Sequence, residues 1–147
     1  MPEGLLVFIA SIAATVGFAL LFHVPSKAMP IAGLVGGVGY LFYWIITSLL
    51  LKDEAVAMLI ASAIGALLAE VCARKSRHIA TVYIIMVLIP FVPGLGLYRA
   101  MRFIAQGDGA QGAAVAVQAM KDILMITLGL VMGSSLFHFI QRHARIK

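Results

Sequence analysis

The chain has 147 residues, of which 63% are apolar and only 12% are charged, and its formal net charge is +5. Soluble domains are roughly 45–50% apolar and about 25% charged, and a soluble globule this small could not bury so much apolar surface. The composition excludes a disordered chain, a nucleic-acid-binding domain and an ordinary soluble enzyme. It indicates an integral membrane protein. The single cysteine, Cys72, excludes a disulfide framework and a multi-cysteine metal site.

Five long apolar runs follow one another along the chain. A spanning helix needs roughly 20 apolar residues, so we predict an all-α integral membrane protein with a bundle of about five transmembrane helices, forming a single transmembrane domain over residues 1–147. The predicted spans are 4–22, 31–51, 55–73, 79–98 and 113–141. The first run has no preceding Lys or Arg, so we interpret it as a retained helix rather than a secretory signal.

The basic residues are divided unequally between the two ends of these spans. One side receives Lys27, Arg74, Lys75, Arg77, Arg142, Arg145 and Lys147, and the other receives Lys52, Arg99 and Arg102. The positive-inside rule then places the N-terminus outside and the C-terminus in the cytoplasm. If residues 79–98 did not cross, the two large basic clusters would lie on opposite sides, so we prefer five spans to four.

Small residues recur at four-residue spacing in three of the runs. The sets are Gly33 and Gly37; Ala61, Gly65 and Ala69; and Gly129 and Gly133. This spacing lets helix backbones approach closely in lipid. We therefore expect a compact bundle, and a sliding surface of a transporter is the alternative.

The fourth run is the most unusual, because it contains Pro90, Pro93 and Gly94. Residues 79–91 alone would form about 20 Å of helix, which is too short for a hydrocarbon core of about 30 Å. Irregular backbone at membrane depth needs protein or water to satisfy it. We predict that the fourth helix is broken over residues 90–94 and followed by a short amphipathic helix.

A helix that restarts near Pro93 and Gly94 would offer N–H groups and a positive dipole end. Such an end is suited to binding a carboxylate, and Tyr98 and Arg99 are close enough in sequence to assist. The alternative is an ordinary proline kink followed by a helix at the membrane interface.

Polar side chains inside the other runs are further candidates. Tyr40, Tyr43 and Thr47 share one face of the second span. Their hydroxyl groups need partners at that depth, so they either line a polar path or bond to neighbouring helices.

Ionisable residues within the apolar zone mark functional sites by default. Glu70 and Asp122 are the two candidates for coupling transport to protons. The alternative for Glu70 is an ion pair with Arg74, four residues later on the same helix. Asp122 and its neighbour Lys121 point about 100° apart, so we expect them to serve different partners or to lie at the interface.

No catalytic or cofactor motif is present in the sequence. The four histidines lack partners at metal-ligand spacing, and there is no Ser/His/Asp set, P-loop or dinucleotide fingerprint. We predict no metal, no cofactor, no catalytic residue and no nucleic-acid partner, and we expect that the chain is not an enzyme.

Several stretches together resemble bacterial threonine/serine exporter-like proteins. They are residues 17–25, 73–75, 81–85, 89–94, 98–101 and 106–108. The resemblance covers most of the chain in order, and the proline–glycine block is its most specific part. The chain is similar to the smaller, C-terminal half of such transporters, which in many bacteria is a separate subunit.

This resemblance implies an inner-membrane subunit that works with a larger membrane subunit of the same family. It implies export of a small carboxylate-bearing metabolite, either threonine and serine or a succinate-type dicarboxylate. A structural membrane subunit without a substrate path of its own is the alternative. Whether the complex forms a higher oligomer stays open.

Overall fold

Helices account for nearly all of the structure. The computed structural model describes residues 2–50 and 53–144, and no strand occurs in these residues. Lys52, Arg145 and Lys147, which entered the predicted orientation, lie outside the described residues, as does Leu51 at the end of the second predicted span. The helices are α1 (Pro2–Leu21), α2 (Met29–Ile45) with a π-helical turn (Ile46–Leu50), α3 (Glu54–Ser76), α4 (Ala80–Leu88) with a 3-10 turn (Ile89–Phe91), α5 (Gly94–Ala105) and α6 (Gly109–Ala144).

The all-α membrane fold predicted from the sequence is confirmed. Four helices (α1, α2 with its π turn, α3 and α6) are each long and apolar enough to cross a membrane. A fifth span is formed if α4 and α5 are taken together, and these two helices meet at a bend of 48°. The predicted break in the fourth helix is therefore present, since Pro90 lies in the 3-10 turn and Pro93 stands just before the first residue of α5.

Helix α6 begins earlier than we predicted, at Gly109 rather than near residue 113. The prediction was wrong because glycine-rich stretches such as residues 107–112 are typical of loops. The backbone N–H of Gln111 donates to Oδ1 of Asp108 at 3.0 Å, which caps the helix, and the N–H of Gly112 donates to the Asp108 carbonyl. Gly112 also packs closely against Ile104 of α5, where a side chain would collide.

Helices α1 to α4 alternate in direction. Gly33 of α2 packs against Val16 of α1, and Gly4 near the start of α1 packs against Trp44 near the end of α2, so these two helices are antiparallel. The Tyr83 and Ser76 hydroxyls are 2.8 Å apart across the α3–α4 turn. The loops that follow α1 and α3 consequently lie at one end of the bundle.

Helices α3 and α6 run parallel. Gly129 packs against Leu59 and Ser62, and Gly133, one turn later, packs against Ala63 and Ala66. The chain leaves α3 at Ser76 and enters α6 at the other end, so the segment between them must return along the bundle. This return is made by α4 and α5, which favours five crossings over four.

Charged residues separate between the two ends of the bundle. One end, called here the basic end, holds Lys27, Arg74, Lys75, Arg77 and Arg142. The opposite end holds Glu3, Asp53, Glu54, Asp108, Arg99 and Arg102, with Lys121 and Asp122 nearby on α6. Acidic groups at the start of a helix and basic groups in its last turn also complement the helix dipole, as Glu54 and Arg74 do on α3.

Replacing Gly129 by alanine should destabilise the bundle, although alanine is the better helix former. The added methyl group would collide with the Ser62 hydroxyl and the Leu59 carbonyl of α3. We expect a loss of about 1–3 kcal/mol, typical of overpacking, measured as thermal or denaturant unfolding of the purified protein. Gly17→Ala is the matched control, because nothing lies within 4 Å of a methyl group there. Equal stability of the two variants would contradict the close α3–α6 contact.

The parallel arrangement of α3 and α6 predicts a specific labelling pattern. In a Cys72→Ala background, single cysteines at Ser26 and Arg77 should react with a membrane-impermeant thiol reagent from one side. A cysteine at Gln111 should react only from the other side. All three positions are exposed. Reaction of positions 77 and 111 from the same side would show that α4 and α5 do not cross.

Candidate functional site

A cavity of about 600 Å³, with a mostly apolar surface and a few charged side chains, lies at the end of the bundle opposite the basic end, and we call it the α5–α6 cavity. Its lining residues come from three helices and are Glu54, Gly96, Arg99, Phe103, Ala114, Val115, Gln118, Ala119 and Asp122. Glu54 stands in the first turn of α3. The others lie on facing sides of α5 and the first part of α6.

The turn between α5 and α6 brings these two helices together. Gly107 adopts a φ of 86°, which favours glycine, and lets the chain reverse. A methyl group added at Gly96 of α5 would stand at ordinary van der Waals distance from Ala119 of α6, and Ala100 is buried. Because the contact face of α5 carries small residues, the longer Arg99 side chain projects into the cavity beside it.

Two carboxylates and one guanidinium line the α5–α6 cavity. Asp122 is 8% exposed, and its Oδ1 accepts a hydrogen bond from Nε2 of Gln118 at 3.0 Å. Glu54 and Arg99 are exposed. Because the cavity lies at the end of the bundle, water, a polar ligand or another protein can reach these charged groups.

The proline–glycine segment lies beside the cavity rather than within its lining. Pro93 lines a separate apolar cavity of about 250 Å³ together with Ile123 and Thr127 of α6. Gly94 is exposed, with open space where a side chain would stand. Tyr98 is 63% exposed and is not among the lining residues. Of the four candidates predicted around the restart of the helix, Arg99 is the one that lines the α5–α6 cavity.

Tyr40 and Tyr43 pack against the broken part of the fourth span. Their rings lie 5.7 and 6.2 Å from the ring of Phe91, in edge-on geometry, and 5.3 Å from each other. Thr47 donates its hydroxyl to the Tyr43 and Trp44 carbonyls at 2.9 and 3.1 Å. The structure thus brings both tyrosines to the helix break, while the Thr47 hydroxyl bonds within its own helix.

Glu70 lies near the basic end, and its carboxylate stands beside His138 of α6. Its Oε1 is 3.4 Å from Nε2 of His138 on α6, and its side chain is buried. Arg74 instead stacks over the Phe137 ring at 5.1 Å from the ring centre. The alternative considered for Glu70, an ion pair with Arg74, is not present among the described residues, because the packing of α3 on α6 brings His138 to the carboxylate and offers Arg74 an aromatic face.

Sequence analysis missed Glu54, Gly96, Gln118 and His138 as site residues. The i, i+4 spacing of Gln118 and Asp122 does predict their hydrogen bond. By contrast, no local pattern places Glu54 or His138 against another helix, since those contacts depend on the packing of α3 and α6. In the described part of the chain, no group of three or more His, Cys, Asp or Glu side chains could hold a metal ion.

Comparison with known families agrees with this architecture. The chain matches the family described as Threonine/Serine exporter, ThrE, over residues 7–136. It belongs to that exporter family. The match runs from α1 into the last part of α6 and includes the break and the α5–α6 cavity. No solved structure matches the chain.

Membership of the threonine/serine exporter family makes this a multi-pass membrane protein of the transporter type. A transporter family favours transport over catalysis. The predicted substrate-path residues (Pro93, Gly94, Tyr98, Arg99, Tyr40, Tyr43 and Thr47) and proton-coupling residues (Glu70 and Asp122) stay predictions, as does the single domain over residues 1–147.

The aromatic packing at the break of this exporter-family chain predicts a large cost for losing Phe91, which is 2% exposed. Phe91→Ala should destabilise the protein by about 3–5 kcal/mol, because the cavity that it leaves cannot close easily. Phe139→Ala is the control, since that ring is 61% exposed. Thermal unfolding in detergent measures both. Similar unfolding temperatures for the two variants would mean that the break is not held by the aromatic cluster.

Proposed function

We propose that this chain is a subunit of an exporter that moves small amino acids of the threonine/serine type across the bacterial inner membrane. The observation that carries the proposal is the charge pattern of the α5–α6 cavity, in which Arg99 shares one open space with Glu54 and Asp122. Family membership supports a transport activity, and the charges that line the cavity support amino acids as the substrate class.

A zwitterionic amino acid complements these three groups. Arg99 would bind the substrate carboxylate through its planar fork of N–H donors. Glu54 and Asp122 would face the ammonium group. The amide of Gln118, which already donates to Asp122, carries an oxygen that can accept a hydrogen bond from the hydroxyl of threonine or serine.

The same pattern disfavours a dicarboxylate. A succinate-type substrate would bring two negative charges to a cavity with two carboxylates and one guanidinium. Its second carboxylate would lack a cationic partner and would face like charges, which is costly in a site of reduced dielectric. We therefore favour amino acids over dicarboxylates, the choice that the sequence left open.

The broken helix would assist by placing the start of α5 at the cavity. Gly96 belongs to the first turn of α5 and lines the cavity, so the positive end of the helix dipole lies beside Arg99. In this proposal Pro93 and Gly94 act by fixing where the helix restarts. Asp122 is the preferred proton-coupling group because it lies in the substrate cavity, whereas Glu70 lies near the far end of the bundle.

The orientation and the partner complete the proposal. Placing the basic end in the cytoplasm puts the N-terminus and the α5–α6 cavity on the outer side, where an exporter releases its substrate. Arg99, Glu54 and Gln118 are all exposed at the cavity. We propose that a larger subunit of the same family covers this open side, with water filling the space between them.

Loss of the Arg99 guanidinium should strongly slow export without unfolding the protein. The test uses cells that lack this chain and are complemented with variants. In them, Arg99→Gln should lower the rate of threonine efflux at least tenfold. The reason is that a hydrogen bond to a charged group contributes about 1.5–3 kcal/mol, and every 1.4 kcal/mol changes an equilibrium about tenfold. Arg99→Lys should retain part of the activity. Arg102→Gln is the matched control, because it removes the same charge from the same helix outside the cavity.

Efflux of threonine, serine and succinate should be compared in the same cells, with the level of each variant in the membrane measured alongside. Glu54→Gln and Asp122→Asn should reduce amino acid efflux and should weaken the preference for amino acids over succinate. If Arg99→Gln exports threonine normally while present at normal levels, the α5–α6 cavity is not the substrate site. The structural-subunit alternative would then be favoured.

A further inference from the structure

A second cavity, of about 220 Å³, lies between α3 and α6 at the basic end, and we call it the α3–α6 basic cavity. It is lined by Arg74, His138, Gln141 and Arg142. Each of these side chains can donate hydrogen bonds, and two of them are permanently cationic. The export proposal assigns no role to this cavity, and three of its four residues lie beyond the region that matches the family.

The carboxylate nearest to this cavity, among the described residues, is already engaged. Glu70 is 5% exposed, and its Oε1 is directed at Nε2 of His138 at 3.4 Å. Arg74 is held over the Phe137 ring. Among the described residues, Glu70 forms no ion pair with Arg74 or Arg142, and Lys75 and Arg77 add further positive charge at the same end.

The α3–α6 basic cavity lies at the depth of lipid headgroups. Helix α3 has 23 residues and is about 35 Å long, so its last turn reaches the boundary of a hydrocarbon core of about 30 Å. Arg74 stands in that last turn. Val71 of α3 and Phe139 and Ile140 of α6 are exposed close to the cavity residues in sequence and suit contact with acyl chains.

We infer that the α3–α6 basic cavity binds the phosphate group of an anionic phospholipid. Basic pockets between transmembrane helices recognise such headgroups, and guanidinium groups match phosphate oxygens with paired hydrogen bonds. The cavity has a volume of about 220 Å³ and is open on one side, so a headgroup phosphate can enter it. Arg142 and Arg74 bind the phosphate, and His138 and Gln141 complete the donor set.

The test measures lipid binding to the full-length chain, together with any subunit that copurifies, in detergent micelles. The unfolding temperature is measured while increasing amounts of phosphatidylglycerol or, separately, of phosphatidylcholine are added. Phosphatidylglycerol should bind more tightly. Arg142→Gln should weaken its apparent affinity about fivefold, as expected for the loss of one cation near an anionic headgroup. Arg102→Gln, with the same net charge, should bind like the unmodified protein.

Arg142 is exposed, so Arg142→Gln should unfold at the normal temperature without lipid. His138→Gln is a second variant, which should also bind phosphatidylglycerol more weakly. Arg142→Lys should retain most of the affinity for phosphatidylglycerol. Equal affinity for the two lipids, or normal phosphatidylglycerol binding by Arg142→Gln, would overturn the proposal. If millimolar inorganic phosphate reproduces the whole stabilisation in phosphatidylcholine, the site takes soluble phosphate and the lipid assignment is wrong.

Discussion

The contact between α3 and α6 at Gly129 and Gly133 is the constraint on which the rest of the bundle depends. Both glycines lie directly against backbone carbonyls of α3, at positions where even a methyl group would collide. In a membrane, helices associate through close packing and backbone contact rather than through the hydrophobic effect. The absence of two side chains therefore sets the distance between the helices that carry Glu54, Glu70, Asp122 and His138.

The parallel direction of α3 and α6 follows from this contact and determines the shape of the fourth span. Because both helices start at the same end, the segment between them must return along the bundle. It does so as two helices bent by 48°, with Phe91 inserted against Tyr40 and Tyr43 at the bend. As a result, the start of α5, which carries Arg99, lies beside the first half of α6. The proposed substrate cavity is thus a product of helix direction as much as of local sequence.

Much of the fold could be predicted because its determinants are local. Uninterrupted apolar runs mark the spans, and prolines without N–H donors mark the break in the fourth helix. Local pattern was a poor guide where contact between helices overrides it. Gly112 looks like a loop residue but packs tightly against Ile104, and Glu70 pairs with His138 rather than with its neighbour Arg74. Arg99 was predicted as a site residue from its sequence context, but Glu54 could not be, because its proximity to Asp122 exists only in the packed bundle.

Helix α6 has 36 residues in one unbroken run, about 54 Å long. Asp122 and His138 are 16 residues apart on it, about 24 Å, and the glycine contact with α3 lies midway between them. Because α6 is continuous from one cavity to the other, a rigid tilt of this helix about the glycine contact would displace its two ends in opposite directions. Such a tilt would change the shape of the α5–α6 cavity and of the α3–α6 basic cavity together.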